Sequence, residues 1–216
     1  MTAESALALD GLRHLSALKW YVIPLLAMVL YIYVLEIKKA RETGNWDAVF
    51  AGLTLFGTDF LFETINGWIF RFSRYSALWT TPGETALRTM VGWNIEIMFM
   101  FMIAGIIYTH TLSGDKTARI LAVPEKFFWV VGYAVLCVFV EGLLNMGGHL
   151  VWSYKFWSLT PTGVLPIFCA YFFLFLSPML VISLKTIRTR ILYSGAIYAA
   201  AVVMNIFAFG VMNWQY

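Results

Sequence analysis

The residues best suited to chemistry are three glutamates, Glu63, Glu96 and Glu141, which lie within stretches apolar enough to cross a lipid bilayer. Each has an asparagine within four residues: Asn66, Asn94 and Asn145. Ionisable residues in membrane segments are costly and generally face an interior site, so they mark function. Desolvation disfavours the charged form of a carboxyl group, so a glutamic acid in a dry pocket keeps a proton that it can donate. We therefore predict Glu63, Glu141 and Glu96 as catalytic residues.

An acid of this kind suits protonation of a double bond or an epoxide in an apolar substrate. Aromatic faces would stabilise the resulting cation, and the chain contains 18 Phe, 9 Trp and 11 Tyr. An asparagine one turn away can orient the acid or hold a water. The residues predicted to contact the substrate are Asp59, Asn66, Trp68, Trp93, Asn94, Asn145, His149, Trp152, Tyr154 and Asn205.

Composition and hydropathy predict an all-α, polytopic membrane helix bundle formed by one domain over residues 1–216. The chain is 61% hydrophobic and 12% charged, whereas soluble domains carry about 25% charged residues. A spanning helix needs about 20 mainly apolar residues. Six segments qualify: Trp20–Ile37, Ala48–Phe70, Met90–Tyr108, Phe127–His149, Gly163–Leu184 and Ile191–Met212. The amphipathic stretch Arg71–Arg88 predicts an interfacial helix.

Helix spacing and depth group the polar residues. Two runs each fall on one helix face: Glu141, Asn145 and His149, and Asp59, Glu63 and Asn66. Glu63 and Glu141 both lie about 15 residues into parallel spans, roughly 22 Å along the axis. Asn205 has a similar depth, and Glu96 lies about six residues into a span that runs the other way. These four residues are therefore predicted in the same half of the membrane.

Basic residues predict that both termini are outside the cytoplasm, because positively charged loops stay inside. Six basic residues fall on the side of the termini, and nine follow spans one, three and five. The nine are Lys38, Lys39, Arg41, Lys116, Arg119, Lys126, Lys185, Arg188 and Arg190.

An internal repeat is indicated by two similar stretches, ETINGWIFRFSRYSALWTTPG after Glu63 and EGLLNMGGHLVWSYKFWSLTPTG after Glu141. In both, the glutamate is followed by an asparagine, an aromatic run and a Thr-Pro turn. Parallel repeats of helices are familiar in membrane proteins. If the repeat holds, Glu63 and Glu141 are pseudo-equivalent and face one another.

Other functions remain open at this point. The carboxylates could couple protons to transport, or the chain could be a lipid-binding protein or an accessory subunit of a membrane complex. Glu63, Glu96, Glu141 and His149 could also bind a metal, although the chain has three histidines and membrane di-iron enzymes generally use many. We expect no metal and no cofactor. The net charge of +3 is too small and dispersed for nucleic acid, so the expected partners are a lipophilic small molecule and membrane lipids.

Around Glu63 the chain resembles the small integral-membrane terpene cyclases of meroterpenoid pathways, from Ala17-Leu18-Lys19-Trp20 to Asp59-Phe60-Leu61-Phe62-Glu63. The resemblance implies that Glu63 acts as a Brønsted acid on an epoxide or alkene. In that family an asparagine and a tryptophan precede the glutamate, and an aspartate lies in the last helices. Here those places hold Asp59, Phe62 and Asn205.

The stretch EGLLNMGGHLVWSYKFWSLTPTGVLPIF, which begins at Glu141, is similar in rhythm to membrane carotenoid hydratases and cyclases. Pro124-Glu125 is the nearest match to the Pro-x-Glu-Glu motif of those cyclases. Both resemblances imply acid-initiated cyclisation, hydration or isomerisation of an isoprenoid in the bilayer, with lyase or isomerase activity.

Overall fold

The protein is seen here in a computed structural model that describes residues 1–115 and 117–216, with Ala17 described by its backbone alone. Lys116, one of the nine basic residues counted above, lies outside the described residues. The helices are α1 (Ala3–Asp10), α2 (Val22–Thr43), α3 (Asp47–Ser73), α4 (Ile95–Thr111), α5 (Glu125–Met146), α6 (Val164–Ser183) and α7 (Ile187–Ile206), which continues as a π-helical segment, Phe207–Val211. The strands are β1 (Trp79–Thr80), β2 (Arg88–Met90), β3 (Trp93–Asn94), β4 (Arg119–Ile120), β5 (Val123–Pro124) and β6 (Val151–Trp152). The predicted all-α membrane bundle is confirmed.

The number of spans is about four, so the prediction of six was too high. Among the described residues, the helices long and apolar enough to cross a membrane are α3, α5, α6 and α7 with its extension. Helix α2 is long enough, but it carries five charged side chains between Glu36 and Glu42. Helix α4 is apolar but has only 17 residues, fewer than the roughly 20 that a span needs.

Helix α3 is the centre of the bundle and packs against α4, α6 and α7. Helix α5 packs mainly against α6, whereas α4 and α5 contact each other only slightly. Short hydrogen bonds connect α3 to its neighbours, from Thr54 to Ser194 over 2.6 Å and from Thr58 to Ser177 over 2.9 Å. Such bonds hold helices together where lipid provides no hydrophobic drive. The order α4–α3–α6–α5 therefore forms an arc whose two ends face each other.

Helices α3 and α4 approach each other closely at Gly105. A Cβ atom there would lie 2.3 Å from the backbone oxygen of Ala51 and 2.8 Å from the Cα atom of Gly52. Small residues at helix interfaces permit such close packing of backbones. The position of α4 therefore depends on a glycine at residue 105.

We expect Gly105→Ala to lower the free energy of unfolding by about 1–3 kcal/mol, because the added methyl forces two backbones apart. Gly195 in α7 is the matched control, since a Cβ atom there would meet nothing within 4 Å. Gly195→Ala should be neutral or stabilising by up to about 1 kcal/mol. Unfolding in detergent, followed by circular dichroism, measures both, and equal effects would contradict this packing.

The loop from Arg74 to Asn94 is not the interfacial helix that was predicted over Arg71–Arg88. Helix α3 ends at Ser73, and Arg74 follows with a left-handed φ of 52°. The chain then forms β1, β2 and β3, and β1 pairs antiparallel with β6, placing Trp79 opposite Trp152. The loop after α3 and the loop after α5 therefore meet at one end of the bundle.

Candidate functional site

A cavity of about 300 Å³ lies between α3, α4, α5 and α6, below the paired loops. Its lining is apolar and aromatic apart from a few polar side chains. Three of those polar groups are carboxyl groups: Asp59 and Glu63 on α3, and Glu141 on α5. The structure thus brings together two of the three glutamates predicted as catalytic, with a third acid beside them.

Glu63 and Glu141 are held in the same way. Both are buried. The indole N–H of Trp79 donates to Oε1 of Glu63 over 2.8 Å, and that of Trp152 donates to Oε1 of Glu141 over 3.1 Å. In each glutamate the second oxygen, Oε2, is buried and has no hydrogen-bond partner among the described residues. One oxygen of each acid is therefore fixed by an indole, and the other has no partner among the described residues.

Asp59, the third acid, also accepts a hydrogen bond from a tryptophan. The indole N–H of Trp93 donates to its Oδ2 over 2.8 Å. Trp93 stacks between Phe56 and Phe60, with ring centroids 5.7 and 5.4 Å away. The two tryptophans Trp93 and Trp152, predicted to contact the substrate, thus donate hydrogen bonds to cavity acids, and neither belongs to the cavity lining.

The asparagines hold loops instead of orienting the acids directly. Asn66 donates to the carbonyl of Trp79 over 2.9 Å and accepts from the N–H of Leu78 over 2.8 Å. Asn145 donates to the carbonyl of Leu150 over 2.9 Å. Since Trp79 and Leu150 both line the cavity, each asparagine supports the site through the loop that it binds.

Glu96 lies outside the cavity, on the first turn of α4. Its Oε1 accepts from the hydroxyl of Tyr21 over 2.6 Å and from the N–H of Ala86 over 2.9 Å, and its Oε2 accepts from the hydroxyl of Thr85 over 2.5 Å. Asn94 caps the same helix by accepting from the N–H of Ile97 over 3.0 Å. The depth of Glu96 did not predict its surroundings, because the face of α4 on which it lies directs the carboxylate toward the preceding loop.

Glu125 occupies a position on α5 similar to that of Glu96 on α4. On the first turn of α5 it accepts hydrogen bonds from the N–H of Ser113 over 3.1 Å and from the Ser113 hydroxyl over 2.8 Å. Glu96 and Glu125 thus anchor equivalent loops, each ahead of a β-hairpin that leads into a helix.

We expect Glu96→Ala to lower the free energy of unfolding by about 1–3 kcal/mol, because the buried N–H of Ala86 loses its acceptor. Chemistry in the cavity should persist in the folded protein. Thermal unfolding in detergent measures the first effect, and product formation per folded molecule measures the second. A complete loss of product in a folded Glu96→Ala variant would restore Glu96 as a catalytic candidate.

Four other predicted contacts lie away from the cavity. Trp68 packs edge-on against Trp214, and Tyr154 donates to the carbonyl of Ser76 over 2.9 Å. Asn205 donates to the hydroxyl of Thr64 over 2.7 Å, which links α7 to α3. These three side chains serve packing or loop structure.

His149 is the fourth, and it is exposed. The prediction that it shares a helix face with Glu141 was wrong, because α5 ends at Met146. Gly147 follows, and Gly148 adopts a left-handed φ of 72°, a conformation that glycine accepts readily. Of the residues considered for a metal, Glu96 and His149 therefore lie apart from Glu63 and Glu141, and within the described ranges no group of three His, Cys, Asp or Glu side chains is placed to hold one.

Several cavity residues escaped the sequence analysis. Tyr171 on α6 lines the cavity with Glu141. Trp79 and Trp157 also line it and stack with ring centroids 5.5 Å apart. A signal existed for this pair, since Trp79 follows Glu63 at the same interval at which Trp157 follows Glu141.

Comparisons with other proteins place the chain among membrane proteins. Residues 2–210 match the sequence model of a family described as "Uncharacterized membrane protein family". A protein of Archaeoglobus fulgidus, described as "Uncharacterized protein", is 37% identical over 212 residues, which cover 98% of this chain and 97% of that protein. No solved structure matches the chain significantly.

Proposed function

The chain belongs to the family described as "Uncharacterized membrane protein family", and we propose that it is an enzyme that starts its reaction by protonating an isoprenoid. The reaction class is cyclisation, hydration or isomerisation, as in the membrane terpene cyclases, with lyase or isomerase activity. The substrate is a lipophilic molecule taken from the surrounding lipids. Glu63 and Glu141 are the acid pair.

The observation that carries this proposal is the pair of buried glutamates in one apolar cavity, each with an oxygen lacking a partner. An isolated ionised carboxylate is very costly in apolar surroundings. A neutral carboxylic acid avoids that cost and has one O–H to donate. In a mainly apolar lining, a double bond or an epoxide of a lipophilic substrate is the acceptor that we propose for that proton.

The proposed step balances within the cavity. The O–H bond of one glutamic acid breaks, and its proton bonds to an alkene carbon, using the π electrons, or to an epoxide oxygen. The carbocation that results is stabilised by aromatic faces, which Trp157, Tyr133 and Phe175 supply in the lining. The new carboxylate keeps the indole N–H bond, which is stronger to a charged acceptor. The donor's carboxylate takes back the final proton, and the other glutamate orients the substrate or a water.

The lining favours an enzyme over a proton-coupled transporter. A transport path needs polar groups that reach both sides of the membrane, whereas the cavity around the acids is mainly apolar. A second cavity, of about 260 Å³, is polar and borders Asp47 and His110. Asp47 is the first residue of α3, the helix that carries Glu63, so this second cavity lies roughly 24 Å from Glu63 along α3.

In this proposal both termini are on the non-cytoplasmic side, which the excess of basic residues at the opposite end favours. Both termini lie at the end of the bundle with the paired loops, because the N–H of Thr2 donates to the carbonyl of Tyr75 over 3.0 Å and Arg13 donates to Gln215 over 3.2 Å. The cavity end with Trp79 and Trp157 then also faces away from the cytoplasm.

The proposal is tested by supplying linear isoprenoids to membranes that contain the wild-type protein and analysing lipid extracts by chromatography and mass spectrometry. We expect a cyclised, hydrated or isomerised product that is missing from membranes with the Glu63→Gln/Glu141→Gln double variant. Glu84→Gln, at an exposed acid outside the cavity, is the control and should retain the product. Equal product from the double variant would refute the acid role.

A further inference from the structure

The cavity opens sideways, between α4 and α5. These helices line opposite walls but contact each other only slightly, whereas α3 packs against α4 and α6, and α6 packs against α5. Four cavity-lining residues at this gap also expose 37–51% of their surface: Met100, Ile107, Leu136 and Val140. Side chains that belong to the cavity wall and the outer surface at once mark its mouth.

The mouth faces hydrocarbon. All four rim residues are apolar, and Leu136 and Val140 lie within α5, one of the spanning helices. The end of the cavity nearest the paired loops is closed by Trp157 and Leu150, which are both buried, and by the stacking of Trp157 on Trp79. A molecule therefore reaches the acids from the bilayer more readily than from water.

The volume of the cavity limits the size of the molecule that it can hold. A dry cavity of about 150 Å³ holds one benzene molecule, so a cavity of about 300 Å³ holds roughly a dozen carbon atoms. A longer chain can place only one end beside Glu63 and Glu141. The remainder would pass between α4 and α5 and stay among the lipids.

We propose that the cavity admits the end of a linear hydrocarbon chain from the bilayer through the gap between α4 and α5. This inference rests on the proposed function and specifies its substrate as a chain whose terminal segment carries the reactive alkene or epoxide and no other polar group. The rim residues control entry, and the acids act on the end that is inside.

The test uses purified protein in lipid nanodiscs and carbodiimides, which react with protonated carboxyl groups by addition of the acid O–H across one C=N bond. Dicyclohexylcarbodiimide partitions into lipid, and a water-soluble carbodiimide does not. Peptide mass spectrometry gives the labelling rates of Glu63 and Glu141. We expect the wild type to be labelled by the lipid-soluble reagent and much more slowly by the water-soluble one.

Narrowing the mouth should slow labelling. We expect Leu136→Trp and Ile107→Trp to lower the rate with the lipid-soluble reagent by about tenfold or more, since overpacking of about 1.4 kcal/mol corresponds to that factor. Val135→Trp is the matched control, because Val135 is 55% exposed beside Leu136 but does not line the cavity. Thermal unfolding confirms that the variants fold.

The outcomes separate this inference from the proposed function. Labelling that is unchanged in both rim variants, or faster with the water-soluble reagent, overturns the lateral route but leaves the acid chemistry standing. A wild type that neither reagent labels contradicts the inference and the proposed function together, because no protonated acid is then within reach.

Discussion

Glu63→Gln should lower turnover of an isoprenoid substrate about 10²- to 10⁴-fold, the range by which a positioned general acid contributes to a reaction. Glutamine keeps the size of the side chain and an oxygen that can accept from the indole of Trp79, the bond seen at 2.8 Å. What it loses is the acidic O–H at the oxygen without a partner. The fold should therefore persist while the proton donor disappears.

Glu141→Gln is the internal comparison, because Glu141 has the same burial and the same kind of indole bond, to Trp152. If one glutamate donates the proton and the other orients the substrate or a water, both variants fall within this range. The double variant then loses little more than the worse single variant, since residues that act as a unit are not additive. Product formation in membranes, normalised to folded protein, measures all three. Full turnover in both single variants would exclude the acid pair.

Asn66→Ala should cause the largest loss of stability, roughly 2–6 kcal/mol. The Asn66 side chain is fully buried and satisfies the N–H of Leu78 and the carbonyl of Trp79. Each buried backbone group left without a partner costs about 1–3 kcal/mol. Because the same bonds position Trp79, the indole contact to Glu63 should weaken as well.

Asn145→Ala is the matched control for that prediction. Asn145 is only half-buried and makes one such bond, to the carbonyl of Leu150, so its loss should cost roughly 1–3 kcal/mol. Unfolding of both variants in detergent gives the comparison. A cost for Asn145→Ala equal to or above that for Asn66→Ala would contradict the assigned roles.

The convergence of Glu63 and Glu141 could be predicted because two simple rules apply to them. Carboxyl groups are costly in hydrocarbon, so they turn inward, and helix rise gives their depth. The same rules misplaced Glu96, because depth does not say which way a first-turn side chain points. They also failed for His149, since the glycines after Met146 end α5 before the face continues.

The hydrogen bonds from the tryptophans to the acids could not be predicted from the sequence, for a different reason. Trp79 and Trp152 reach Glu63 and Glu141 from two loops that Asn66 and Asn145 hold and that pair as β1 and β6 across a long sequence separation. That pairing is made by backbone hydrogen bonds, which a hydropathy pattern does not indicate. The sequence nevertheless carried a trace of it in the two similar stretches after Glu63 and Glu141.

The most direct test of acid-initiated chemistry is turnover of an isoprenoid alkene in deuterium oxide, with the product analysed by mass spectrometry. Protonation by Glu63 or Glu141, after exchange with solvent, places one deuterium on carbon in each product molecule. The account predicts that label in the product of the wild-type protein. A product that forms without carbon-bound deuterium would contradict it.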